Sequence, residues 1–472
     1  MKAGWLIMLT ALLCTRVTAQ NNNRKESDRL IAASQAGATP LYFNPAEDSV
    51  QLITPGDFKS EQECTVRRGL PHFFKKAAAG KPVTIGFIGG SITQGNQCYR
   101  QQTAKYMQTM FPAVTMKGVN AGVSGTGTDL GACRLYEQLL RYQPDMVFVE
   151  FAVNGAYTNG MEGIIRQILQ FNSAIDICLI YTIRNGQTKY YVEGGIPPTI
   201  TDLEKIAVHY NLPSIHLGME AAMLEQAGKL IWKGAGETVP GKIIFSADGI
   251  HPVSAGGNLY AAAIARGLKK MQPFTDTPAT SALPAPLIAD NWEDAGMYAP
   301  LDIADFSAGW QQINTKQSGL KQFTGWFPYV MQAEQPGAYF TCRFEGTAFG
   351  YFDIGGPEAG ALEVVIDGTP VELADVGYSR ARLLKPATAN GSKVIDRFNP
   401  FCNNRYRGQY ECIVLPPGIH TVTIRLSAQK SDKVKILGDE QTEDISRNPA
   451  KYDRTVFYLG KILLRGKPLK NI

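Results

Sequence analysis

Three apolar, β-rich runs constrain this chain most: VTIGFIG at 83–89, MVFVEF at 146–151 and ICLIYT at 177–182. A strand that is apolar at nearly every position, not at alternate ones, must be covered on both faces. Shorter strand signals at VTMKGV (114–119) and PSIHL (213–217) fall among stretches of helical pattern at 97–110, 128–142, 161–171, 201–210, 219–232 and 254–271. Strands that alternate with helices imply a parallel sheet with helices on both sides. Right-handed crossovers then gather the loops after the strands on one edge, which is where chemistry belongs in such a fold.

At 472 residues the chain is too long for one hydrophobic core. Its texture changes near residue 273, where TDTPATSALPAP reads as a linker. Beyond it come AYFTCRFEG, TAFGYFDIG, ALEVVIDG, QYECIVLPPG, IHTVTIRLS and TVFYLGKILLRG, short segments separated by Gly, Pro and Asn turns. That pattern predicts an all-β sandwich of jelly-roll kind. The N-terminal MKAGWLIMLTALLCTRVTAQ has a basic start, a short apolar stretch and the small residues Val17-Thr18-Ala19, so it reads as a signal peptide cleaved after Ala19. Leu13 before Cys14 is a poor fit to lipoprotein processing. The expected division is 1–19 signal peptide, 20–80 N-terminal extension opening on a polar stretch, 81–272 catalytic domain, 273–290 linker and 291–472 β-sandwich. The expected location is secreted or periplasmic.

The formal charge of +5 is a weak excess, and no Lys/Arg run suggests a nucleic-acid groove or partner. No later stretch resembles a membrane span. After the leader, Cys64, Cys98, Cys133, Cys178, Cys342, Cys402 and Cys412 remain; Cys402 and Cys412 are close enough in sequence to bridge across a hairpin, and buried free thiols account equally well for the others. None has the C-x-x-C spacing of structural zinc.

Three motifs fall on the edge where chemistry is expected. In GFIGGSITQG, Ser91 follows a buried strand and a glycine pair and precedes a helix, which exposes its hydroxyl at a sharp turn. A Gly-Ser turn that merely caps a helix reads the same in isolation. In ADGIHPVSAGG, His251 lies three residues after Asp248. A serine hydroxyl needs a positioned base, histidine has the right intrinsic pKa, and a carboxylate can hold its tautomer. Of five histidines, His72, His209, His216 and His420 read as structural or surface residues. In VNAGVSGTGT and VEFAVNG, Gly125 and Asn154 follow neighbouring strands and offer hydrogen-bond donors to a developing oxyanion.

The order GGSIT, NAGVSG, VEFAVNG, DGIHP resembles the four blocks of the SGNH (GDSL-like) hydrolases over about residues 83–271. The resemblance implies a flavodoxin-like three-layer α/β/α domain, with Ser91 as nucleophile, Asp248 as orienting acid and His251 as base. Ser91, Gly125 and Asn154 would form the oxyanion hole, with no metal or organic cofactor. Gly90 and Gly155 stand where the family commonly has Asp. Exported members with an appended β-sandwich resemble carbohydrate O-acetylesterases, so the expected partner is a polysaccharide or small-molecule ester. A lipolytic or short-chain acyl esterase or thioesterase, and a non-catalytic glycan-binding protein, are the alternatives. Trp310, Trp326, Phe327 and Tyr329 read either as sugar-stacking rings or as sandwich core.

Overall fold

The computed structural model describes residues 41–43, 50–153, 155–234, 238–276, 282–376, 383–438 and 442–469. The expected leader at 1–19 and the candidate donor Asn154 lie outside them.

The apolar runs become the middle of a seven-stranded sheet. Its strands are β1 (Leu41–Phe43), β2 (Cys64–Thr65), β3 (Val83–Gly89), β4 (Met116–Gly122), β5 (Met146–Glu150), β6 (Asp176–Tyr181) and β7 (Ser214–His216), in the order β1-β4-β3-β5-β6-β7-β2. The five inner strands are parallel, and β1 and β2 close the two edges antiparallel. Counted in chain order, the parallel strands run 2-1-3-4-5, the flavodoxin-like arrangement, whose ligand crevice opens where the order reverses. Here the reversal lies between β3 and β5, so the loops that follow them face one crevice. Every residue of β5 and β6 is buried, as expected for strands covered on both faces. Both edge strands come from the segment that reads as an N-terminal extension; at two and three residues they are too short to carry a periodic signal.

One helix is shorter than the sequence suggests. Met219–Gln226 is helical, but Gly228 at φ +68° ends it, and Leu230–Lys233 pairs in parallel with Ile243–Ser246. Left-handed backbone favours glycine and stops a helix. The resulting ribbon leads directly into the DGIHP loop.

The second domain is a β-sandwich built on three long antiparallel strands, Tyr339–Gly355, Arg407–Leu426 and Phe457–Pro468. The first changes character along its length. Its opening half alternates between buried and exposed positions, and from Ala348 onward every residue is buried. The register shifts at Gly346/Ala348, at the change. Phe340, Phe344 and Phe349 pack with Val422, Ile424 and Ile462 in the sandwich's own core. Phe352 and Ile354 instead join one buried cluster with Phe87 and Phe148 of the parallel sheet. Apolar burial at about 25 cal/mol per Å² is the main force closing such a seam.

The C-terminal part of the expected linker is a strap laid along the helix Thr158–Phe171. Glu162 accepts from the Leu287 and Ile288 N–H groups (2.6 and 2.7 Å), Gln167 Nε2 donates to Trp292 O (2.9 Å), and Arg166 pairs with Glu293. Trp326 and Phe327 are buried, and Trp310 packs against Phe306, Phe340 and Phe457 while its Nε1 donates to Tyr339 O (3.0 Å). Tyr329 is half-buried, its hydroxyl accepting from Leu301 N (3.4 Å). Trp310 and Tyr329 therefore pack against the sandwich core, while Trp326 and Phe327 are buried in the cluster shared with the parallel sheet and present no face for a sugar to stack on. Cys402 and Cys412 are free, buried thiols: Cys402 sits in a turn ahead of the strand Arg407–Leu426, with its Sγ 3.6 Å from Gln409 Oε1. Among the described residues no helix is long and apolar enough to cross a membrane.

Candidate active site

The chain leaves β3 at Gly89 and turns at once into the short helix Ser91–Gln94. The loop after β4 is pressed onto that helix. A Cβ on Gly122 would sit 2.2 Å from Gln94 N, so only glycine permits the approach. Val123 N donates to Gly89 O (3.1 Å), Ser124 N to Gln94 Oε1 (2.6 Å) and Asn120 Nδ2 to Gln94 O (3.3 Å). Gly125, at φ +71°, continues this loop.

The histidine arrives on a turn that is locked from within. Asp248 Oδ1 accepts from Ser246 Oγ (3.0 Å), Ile250 N (2.8 Å) and His251 N (2.8 Å). Gly249 N donates to Ser246 Oγ (2.9 Å), and Trp232 Nε1 to Gly249 O (3.1 Å). With Oδ1 thus occupied, Oδ2 faces His251 Nδ1 at 2.6 Å. His251 Nε2 in turn lies 2.6 Å from Ser91 Oγ. Ser91 is 3% exposed, while the His251 and Asp248 side chains are partly open to solvent. Burial acts to raise the Asp248 carboxyl, but the His251 hydrogen bond and charge and the two backbone N–H groups hold it well below the usual carboxylate range. The anion accordingly keeps the proton on Nδ1 and leaves Nε2 to accept one from Ser91. A hydroxyl, a base and an orienting anion in line can carry out nucleophilic acyl transfer.

Two solved structures share this architecture. One is a two-domain esterase active on acetylated mannans, co-crystallised with mannopentaose: TM-score 0.64, 22% identity, 88% of this chain and 100% of that one covered. The second is a two-domain esterase likewise active on acetylated mannans, at TM-score 0.59 and 22% identity over 86% of this chain and 97% of that one. At that identity the likeness is one of fold, and it extends over both domains. No protein-family model matches the chain, and no curated protein does.

The other histidines have separate partners: His72 with Asp176, His216 with the Tyr191 hydroxyl, His209 with Ala285 O and His420 with Asp367. Among the described residues, His251 alone bridges a carboxylate and a serine hydroxyl. The loop that would carry Asn154 is laced to the Gly125 loop, since Gly155 O accepts from Thr128 N (3.0 Å). A Cβ on Gly155 would lie 2.9 Å from Gly127 Cα, so an aspartate there would push the two loops apart.

Several residues at the site escaped the sequence reading. Glu150, the last residue of β5, is 1% exposed and accepts from Thr93 Oγ1 (2.9 Å), Thr182 Oγ1 (2.5 Å) and the Gly90 N–H. It underpins the turn that carries Ser91; burial raises its pKa, against the pull of those donors. A single acid in an otherwise apolar strand was the available signal. Arg134, fully buried, donates to Gly89 O (2.9 Å) and Ala121 O (2.5 Å), tying together the ends of β3 and β4.

Asp129, at the start of the helix Thr128–Gln138, is also buried, with the hydroxyl of Tyr410 from the sandwich 2.8 Å from both its oxygens. Burial raises this carboxyl from its ordinary value of 3.8 to about 6, against the Tyr410 and backbone hydrogen bonds. A folded pKa above the unfolded one contributes stability below pH 4 that is lost as pH rises through 6. Across that window Asp129 should cost the wild type roughly 3 kcal/mol. Asp129→Asn lacks the titration, so urea unfolding at pH 4 and pH 7 should show a smaller loss in the variant. Equal losses would remove Asp129 as the source.

Proposed function

We propose that this chain is a serine carboxylic-ester hydrolase of the SGNH kind, exported by its N-terminal leader, that removes acetyl groups from acetylated polysaccharide or oligosaccharide. The observation that carries the reading is the continuous line Asp248–His251–Ser91, with both links at 2.6 Å. In this reading His251 Nε2 takes the Ser91 proton as Oγ attacks the ester carbonyl. The oxyanion that forms is held by the backbone N–H groups of Ser91 and Gly125 and by the Asn154 amide, and each such donor contributes roughly 3–4 kcal/mol. As the carbon–oxygen bond breaks, His251 gives that proton to the departing sugar oxygen, which leaves as a hydroxyl. A water, deprotonated by the same imidazole, releases acetate.

The substrate class draws on the two-domain esterases described above, which are active on acetylated mannans. Acetate release from acetylated mannan, xylan and their oligosaccharides tests it. The wild type should release acetate and Ser91→Ala should not. Faster turnover of long acyl chains than of acetyl would reassign the enzyme to lipolytic esters, and silence on every ester would sink the enzyme reading.

A further inference from the structure

One strand of the sandwich meets both the loop that carries Gly125 and the helix that follows it. Arg407, the first residue of Arg407–Leu426, places Nη2 2.8 Å from the position a Cβ on Gly125 would take, and its guanidinium stacks on Phe401 at 4.8 Å. Three residues on, the Tyr410 hydroxyl meets Asp129. Two further on, the Cys412 thiol meets that of Cys133. Positions 410 and 412 are about 6.8 Å apart along a strand, and 129 and 133 about 6 Å apart along a helix. Matched spacings let both pairs form at once. Asp129 also packs against the glycine loop, because a Cβ on Gly127 would lie 2.8 Å from its Oδ1.

We infer that the sandwich domain positions the oxyanion-side loop 125–129, with Tyr410 as a positioning residue acting through Asp129 and Arg407 backing Gly125. The inference rests on the esterase reading above. It makes the second domain necessary for turnover even of an ester too small to touch it. Without the Tyr410 hydroxyl the buried carboxylate loses its cross-domain donor, and the loop relaxes away from the geometry that meets the oxyanion. Misalignment of one donor affects the transition state more than substrate binding.

The test uses the full chain and p-nitrophenyl acetate. Tyr410→Phe should lower kcat roughly tenfold to hundredfold, with KM within about twofold. Phosphonylation of Ser91 by a fluorophosphonate should slow in parallel, because that reaction also places charge on an oxygen in the hole. Asp129→Asn, which still offers Tyr410 an acceptor oxygen, should retain more activity than Asp129→Ala. Unchanged kcat and labelling rate in Tyr410→Phe would overturn the inference while leaving the esterase reading intact. A wild type that neither hydrolyses esters nor labels would overturn the esterase reading, and this inference with it. If Tyr410→Phe fails to fold, Arg407→Gln leaves the buried pair in place, and wild-type kcat in that variant overturns the inference.

Discussion

Ser91→Ala should lower kcat for acetyl esters by about 10⁶-fold, the loss typical of removing a serine nucleophile from a triad. The side chain is 3% exposed and in contact with His251 Nε2. On the proposed mechanism its removal takes away the attacking atom, yet it takes only one small polar group from the packing, so the melting temperature should hold within a few degrees. What survives should be the modest catalysis that an oxyanion hole and binding provide without a nucleophile. His251→Ala should fall nearly as far, and the double variant no further than either single one, because the two act as one unit. Single-turnover assays with intact-mass detection of an acetylated serine would check this. Retention of even a tenth of wild-type activity in Ser91→Ala would transfer the chemistry elsewhere.

Asp248→Asn should cost about 10⁴-fold in kcat through the imidazole tautomer alone. In the wild type, Oδ1 accepts three hydrogen bonds, from Ser246 Oγ and the N–H groups of Ile250 and His251. An asparagine has one carbonyl oxygen to offer, and those three donors will claim it. Its NH2 group then faces His251 Nδ1, where the carboxylate Oδ2 stood at 2.6 Å. A donor there forces Nδ1 to accept, so the imidazole proton moves to Nε2 and points at Ser91. The base then cannot take the serine proton. Fold and substrate binding should survive, so kcat should fall with KM nearly constant. A loss smaller than tenfold would mean that the imidazole is oriented without this carboxylate.

The parallel sheet was legible because burial on both faces leaves a continuous apolar run, as in Met146–Glu150 and Asp176–Tyr181. That Ser91, Asp248 and His251 would come together was legible because each sits in a short loop after a strand, on the edge where the parallel order gathers such loops. The positions that stayed hidden depend on partners distant in the chain. Tyr410 reaches Asp129 across 281 residues, and nothing local to either announces the contact. Arg134 reads as an ordinary helical arginine until its guanidinium is found bonded to the carbonyls of Gly89 and Ala121. The aromatic residues of the second domain needed the structure for a different reason. Their number alone leaves a sugar platform and a packed core both open, and burial decides for the core at Trp326 and Phe327.

Phe352 and Ile354 are buried in the same cluster as Phe87 and Phe148, and the segment 282–294 is fastened to the helix beneath it. The second domain is consequently not a cassette that can be exchanged for another by recombination. A substitute would have to reproduce a tailored apolar underside and, in place of Arg407–Leu426, a strand with a tyrosine aimed at a carboxylate. A change of side-chain volume on one side of that seam has to be matched on the other.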